Sequence, residues 1–247
     1  MDRSVNFSRE YDDWHQRIFD AAPEHADEQS PWYQLVLEYL APVEGKRVLE
    51  IACGRGGFAR LLASRGAIMF GADFSETALR IAQGKVPGNG ERSGGLALAQ
   101  ADAQQLPYAD ESFDIVISCE TIEHVPDPGL ALKEMARVCR AGGRLYLTTP
   151  NYVNVMGLYQ IYTRLRGRRA TSGSDQPFDR PFLFPQVHRM VRRAGWKIMR
   201  WDGTVHQFPF PGREPVRMFF LERSRALRHW IGIFALHQFV MARKKVD

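Results

Sequence analysis

Between Lys46 and Thr149, short runs of apolar, β-rich residues alternate with segments whose apolar positions recur at helical spacing, the pattern of successive βαβ units around a parallel sheet. The pattern predicts strands over Arg47 to Ile51, Ala67 to Ala72, Leu96 to Gln100, Phe113 to Ser118 and Arg144 to Thr148. Each is nearly continuous in apolar residues, as expected when helices cover both faces. Helices are predicted at Phe58 to Ser64, Glu76 to Gln83 and Pro128 to Arg140, the last stopped by Gly142-Gly143. Val86 to Gly95, with Pro87 and its glycines, reads as a breaker loop. Ahead of this core, Ser4 to Leu40 reads as one or two helices carrying Tyr11, Trp14, Trp32 and Tyr33. Behind it, a helix over Pro185 to Ala194, a strand over Trp196 to Trp201 and a closing strand within Phe234 to Arg243 are predicted, with a turn at Pro209-Phe210-Pro211-Gly212.

Composition narrows the class without changing this picture. The 247 residues suit one dominant α/β core, and 45% hydrophobic with 25% charged residues matches an ordinary globular chain. Met1 to His15 holds no apolar signal segment, and Trp230 to Ala242 falls short of the roughly 20 residues a membrane-spanning helix needs, so a cytoplasmic protein without a membrane span is expected. Cys53, Cys119 and Cys139 form no C-x-x-C pair and are expected as reduced thiols. The net charge of +5 gains meaning only where it clusters, at Arg164, Arg166, Arg168 and Arg169, which reads as a solvated helix end or as a site for an anionic partner such as RNA.

The chemistry concentrates in Val48-Leu49-Glu50-Ile51-Ala52-Cys53-Gly54-Arg55-Gly56-Gly57, a strand that enters a glycine-rich turn and then a helix. Glycine lets the backbone approach a ligand, and the helix N-terminus presents free N–H groups. Alone, this segment also satisfies the G-x-G-x-x-A fingerprint of dinucleotide enzymes, so nicotinamide, flavin and S-adenosylmethionine readings all stand at this point. Asp73 then ends the second strand with a carboxylate suited to a ribose diol, and Asp102 ends the third with one suited to an adenine amino group. Together they outline one nucleoside across the carboxyl edge of a sheet.

In fixed order, VLEIACGRGGFARLLA, GADFSETALRIA, ADAQQLPYADESFDIVIS, CETIEHVPDP and LKEMARVCRAGGRLYLTTPN resemble the class I S-adenosylmethionine-dependent methyltransferases, particularly the small-molecule branch with the ubiquinone-biosynthesis O-methyltransferases. The resemblance covers roughly Lys46 to Asn151. It implies an α/β, Rossmann-like fold with a seven-stranded, mostly parallel sheet and helices on both faces, while the helical spacing of apolar residues in Val153 to Leu165, Met218 to Phe220 and Leu227 to Phe234 predicts a helical cap over the sheet edge. By the same resemblance, Glu50, Gly54 and Gly56 surround the methionine part of the donor, Asp73 and Phe74 the ribose, and Asp102 and Ala103 the adenine. Ala52 stands where the family has its first glycine, and its methyl is tolerable if φ there is negative. The expected layout is an N-terminal helical lid over residues 1–45 and a methyltransferase domain over 46–247, with cap insertions near 151–184 and 206–233.

After the fourth strand comes Glu120-Thr121-Ile122-Glu123-His124, an ExxEH cluster in the loop where acceptor and donor should meet. It resembles clusters that hold a divalent ion such as Mg in some relatives, with Glu120, Glu123 and His124 as candidate ligands. Two metal-free alternatives stand beside this: Glu120 faces the cofactor while His124, with Glu123, serves as the acid–base group, or the cluster is structural, with His124 packing. His188 and His206 are weaker candidates. The expected activity is O-methylation of a small aromatic, polyketide-like or quinone-like molecule. RNA methylation and a methyltransferase-like binder without transfer activity are the rivals; no stable nucleic-acid partner is expected, and a homodimer is compatible.

Overall fold

The computed structural model describes residues 3–22, 27–84, 95–152, 176–180, 182–208, 216–222 and 224–246. The 164–169 arginine cluster, the 153–165 cap segment, most of the 86–95 loop and the 209–212 turn lie outside them.

The strands are β1 (Arg47–Ile51), β2 (Ile68–Asp73), β3 (Leu96–Gln100), β4 (Phe113–Cys119), β5 (Cys139–Pro150), β6 (Trp196–Thr204) and β7 (His237–Lys244). They form one seven-stranded sheet in the order β3-β2-β1-β4-β5-β7-β6. β1 to β5 run parallel, and β7 inserts antiparallel between β5 and β6. The strand order reverses between β1 and β4, so a crevice opens at their carboxyl ends.

Helices α3 (Gly57–Ser64), α4 (Glu76–Gly84) and α5 (Pro128–Val138) connect the parallel strands. α5 begins where the sequence dictates: Asp127 accepts from the Leu130 N–H at 2.9 Å, and Pro128 occupies the first turn, where no N–H is needed. Apolar residues cover both faces. On one, Phe58 and Leu62 of α3 pack with Val36 of α2 (Pro31–Tyr39), Val48, Ile117 and Phe239. On the other, Leu132 and Met135 of α5 pack with Val187 and Val191 of α6 (Phe184–Arg193) and with Trp196, whose indole N–H donates to the Leu132 carbonyl. Full burial of such side chains stabilises by about 1.5–3 kcal/mol each. β3, the sheet edge, is only half-buried, which departs from the expectation that helices cover both faces of every strand.

The fifth strand departs most from expectation. The helix predicted to reach Arg140 ends at Val138, and the strand starts at once, with a bulge between the Phe113–Cys139 and Ile115–Arg144 pairs. Gly142 has φ +70°, and a Cβ on Gly143 would come within 2.5 Å of Cys139 Sγ. The glycine pair serves the bulge rather than the helix stop.

The N-terminal helix α1 (Arg3–Ala21) lies against α4. Asp12 Oδ1 accepts from Ser75 Oγ at 2.6 Å and from the Thr77 N–H at 3.0 Å, so α1 satisfies orphan donors at the start of α4. At the other end of the chain, Arg228 of α7 (Arg225–Ile231) is buried, donating to Glu38 of α2 at 2.7 Å and to Asp202 of β6 at 3.2 Å. All three cysteines are buried free thiols, and burial raises the pKa of each, that of Cys139 to about 12. Among the described residues, no helix is long and apolar enough to cross a membrane.

Candidate active site

A cavity of about 640 Å³ opens at the carboxyl edge of β1 to β4. Of the residues singled out in the sequence, Ala52, Gly54, Asp73, Phe74, Asp102, Ala103, Glu120 and His124 line it; Glu50, Gly56 and Glu123 do not. Tyr11, Trp14 and His15 of α1 cover one side, and Phe178 and Arg180 another. His188 and His206 lie outside this lining, as does Trp32, whose ring packs 5.0 Å from that of His237.

The glycine turn is built on left-handed backbone, with φ +52° at Gly54 and +70° at Gly56. A Cβ on Gly56 would sit 3.1 Å from Ala82 of α4, so this glycine serves helix packing, whereas Gly54 faces the cavity. Ala52 has φ +55°, which corrects the condition set for its methyl: the residue is left-handed, a conformation that costs an L-residue about 1–2 kcal/mol. Glu120, with φ +50°, is a second strained residue at the same edge, where such strain clusters around binding sites.

Asp73 is held rigidly. Its Oδ2 accepts from the Gly54 N–H at 2.8 Å and its Oδ1 from the Ser75 N–H at 2.9 Å, which leaves further lone pairs on both oxygens. Asp102 Oδ1 accepts from the Gln104 N–H at 2.8 Å, and the Gln104 side-chain amide spans both Asp102 oxygens at 3.0 Å.

The ExxEH residues diverge. Glu120 Oε2 accepts from His237 Nδ1 at 2.8 Å. Glu123 is fully buried, its Oε2 accepts from Thr149 Oγ1 at 2.7 Å, and burial, reinforced by the Glu120 charge, pushes its pKa well above the usual carboxylate range. His124 Nδ1 pairs with the Phe178 carbonyl, which can only accept, so Nδ1 carries the proton and the neutral ring's Nε2 keeps its lone pair. Burial pulls the His124 pKa below 6.5, against the opposing effect of that carbonyl. Among the described residues, no group of three or more His, Cys, Asp or Glu could hold a metal ion. In the expected divalent-ion set, Glu120, Glu123 and His124 each have one polar atom held by a different partner, and a divalent ion there is not supported.

Several lining residues escaped the sequence reading. His15 carried no signal beyond its place in an aromatic helix, and Phe178 contributes through a backbone carbonyl, which no side-chain motif reports.

Residues 49–147 match the family described as methyltransferase domain. Over 238 residues the chain is 31% identical to a demethylmenaquinone methyltransferase of Geobacillus kaustophilus, an alignment covering 90% of this chain and 94% of the relative. The chain belongs to the class I S-adenosylmethionine-dependent methyltransferases. This methyltransferase is also 37% identical to a ubiquinone biosynthesis O-methyltransferase of Thiobacillus denitrificans, over 67% of its own length and 71% of the relative's. Its fold matches a crystal structure of an S-adenosylmethionine-dependent methyltransferase from Thermotoga maritima with a TM-score of 0.64 at 22% identity, covering 97% and 98% of the two chains. The donor's chemistry suits the methyltransferase's cavity. Asp73 offers fixed acceptors for a diol, the volume falls within the usual range for small-molecule sites, and Tyr11, Trp14, Phe74 and Phe178 supply aromatic faces of the kind that favour a cation.

Proposed function

We propose that the methyltransferase methylates a hydroxyl of a small aromatic, polyketide-like or quinone-like acceptor, with His124 as the general base. One observation carries this reading: a cavity-lining imidazole whose Nδ1–H is committed to a carbonyl, leaving Nε2 as a proton acceptor. The relatives named for quinone biosynthesis support the acceptor class.

S-adenosylmethionine, when bound, supplies an activated methyl group on a sulfonium. Asp73, Phe74, Asp102 and Ala103 would hold its nucleoside, and Ala52, Gly54 and Glu120 would face its amino-acid tail. Glu50 and Gly56 act one layer back. Glu50 accepts from the Tyr33 hydroxyl at 2.9 Å and steadies β1, while Gly56 lets α3 and α4 approach. His124 would take the acceptor's hydroxyl proton at Nε2. Burial keeps its imidazole neutral, and therefore basic, at neutral pH. Tyr11 and Trp14 of α1 line the same cavity and would shield it from water.

The test is incubation of the purified protein with methyl-labelled donor and a panel of catechols, hydroquinones and polyketide phenols, reading S-adenosylhomocysteine and the position of the new methyl by NMR. A methyl on oxygen supports the reading. A methyl on carbon or nitrogen overturns the O-transfer part, and no homocysteine product with any acceptor overturns the whole.

A further inference from the structure

The strand order 3-2-1-4 lays the cavity's polar groups in a row: Asp102 after β3, Asp73 at the end of β2, the Gly54 turn after β1 and Glu120 after β4. Neighbouring strands stand about 4.8 Å apart, so the row spans about 14 Å. A nucleoside held by Asp102 and Asp73 sends its amino-acid tail across the glycine turn towards β4, where the carboxylate it meets is Glu120. The tail ends in an α-ammonium, a cation suited to a carboxylate.

Glu120 is unusual in two ways. Its backbone is left-handed, and its Oε1 is buried with no hydrogen-bond partner among the described residues, while its Oε2 is held by His237 Nδ1 at 2.8 Å. His237 is the first residue of β7, where its backbone pairs with Pro150 of β5 and Thr204 of β6, and its ring packs on Trp32 of α2. The imidazole is thus fixed by three strands and a helix while lying outside the cavity itself. Holding a long, rotamer-rich carboxylate in one orientation lowers the ordering cost of binding a charged group to it.

We propose that His237 is a positioning residue: it orients Glu120 so that its carboxylate accepts from the α-ammonium of the donor. This rests on the donor-site reading above, and the experiment separates the two. Calorimetry on the full chain compares S-adenosylhomocysteine, which carries the ammonium, with 5′-methylthioadenosine, which lacks the amino-acid tail. His237→Leu should weaken S-adenosylhomocysteine about tenfold and 5′-methylthioadenosine less than twofold. His237→Gln, which restores a side-chain N–H, should recover most of the loss. In the Glu120→Gln background, His237→Leu should add little further. Equal weakening of both ligands, or no change in either, overturns the positioning role. If His237→Leu does not fold, His237→Gln and Glu120→Gln carry the comparison alone, and a Glu120→Gln protein that binds both ligands as the parent does overturns it. A parent protein that binds neither ligand overturns the donor-site reading and this inference with it.

Discussion

His124 Nε2 faces Glu123 Oε1 at 3.6 Å, and burial drives their pKa values in opposite directions, the imidazole down and the carboxyl up. Burial thus disfavours the charged form of both groups beside the cavity that His124 lines. The 3.6 Å separation is too long for a hydrogen bond, so the Nε2 lone pair is not consumed by its neighbour.

Removing the base should separate catalysis from binding. His124→Ala is expected to lower kcat by a factor of about 10² or more, the usual contribution of a positioned base, with donor affinity within severalfold of the parent. Steady-state kinetics and calorimetry check this. Equal losses in both would make His124 a structural residue.

The depressed pKa of His124 sets the acid limb of activity. Because the folded-state value lies below 6.5, the base remains free through neutral pH, and kcat should fall only as the pH drops below the ordinary histidine range. Its linkage to folding has the same sign: the unfolded chain takes up the proton first, so this contribution to stability is lost as pH falls through that range.

Glu123 behaves oppositely. Its raised pKa means that its contribution is fully present below about pH 4.5 and is lost as pH rises towards the folded-state value, by at most about 1.4 kcal/mol per pH unit. Glu123→Gln mimics the protonated carboxyl and keeps an acceptor for Thr149. Its melting temperature relative to the parent should climb between pH 5 and 8. A flat difference across that range would mean that the parent carboxyl is ionised throughout.

Asp73 links fold and ligand. Asp73→Ala removes the acceptor for the Gly54 and Ser75 N–H groups, at a cost of about 1–3 kcal/mol each where they stay dry, and should weaken donor binding more than tenfold. Denaturant titration and calorimetry read the two effects separately, and unchanged donor affinity would remove Asp73 from the site.

Ala52→Gly should relieve the left-handed strain and raise the melting temperature by about 2–4 °C for each kcal/mol recovered. A lowered melting temperature would show that chain entropy outweighs the strain at this turn.

The sequence made the parallel half of the sheet legible because buried strands write themselves as continuous apolar runs: β1 and β3 fall on the predicted residues, and β2 and β4 within one. The Gly142-Gly143 pair misled, because glycine serves a helix stop and a β-bulge equally well and only the partner strand decides between them. At the site, Asp73 and Asp102 were legible from their positions at strand ends, and His124 from the ExxEH cluster in the loop after the fourth strand. His237 was not, since a lone histidine in an antiparallel strand has no spacing that ties it to residue 120, more than a hundred positions earlier.

The burial of Cys53, Cys119 and Cys139 reaches beyond packing. Thiols kept so firmly protonated offer oxidants and alkylating reagents almost no thiolate to attack. A swing in the redox poise of its surroundings should leave this molecule untouched, and a single cysteine introduced on its surface would take a fluorescent label without competition from the native three.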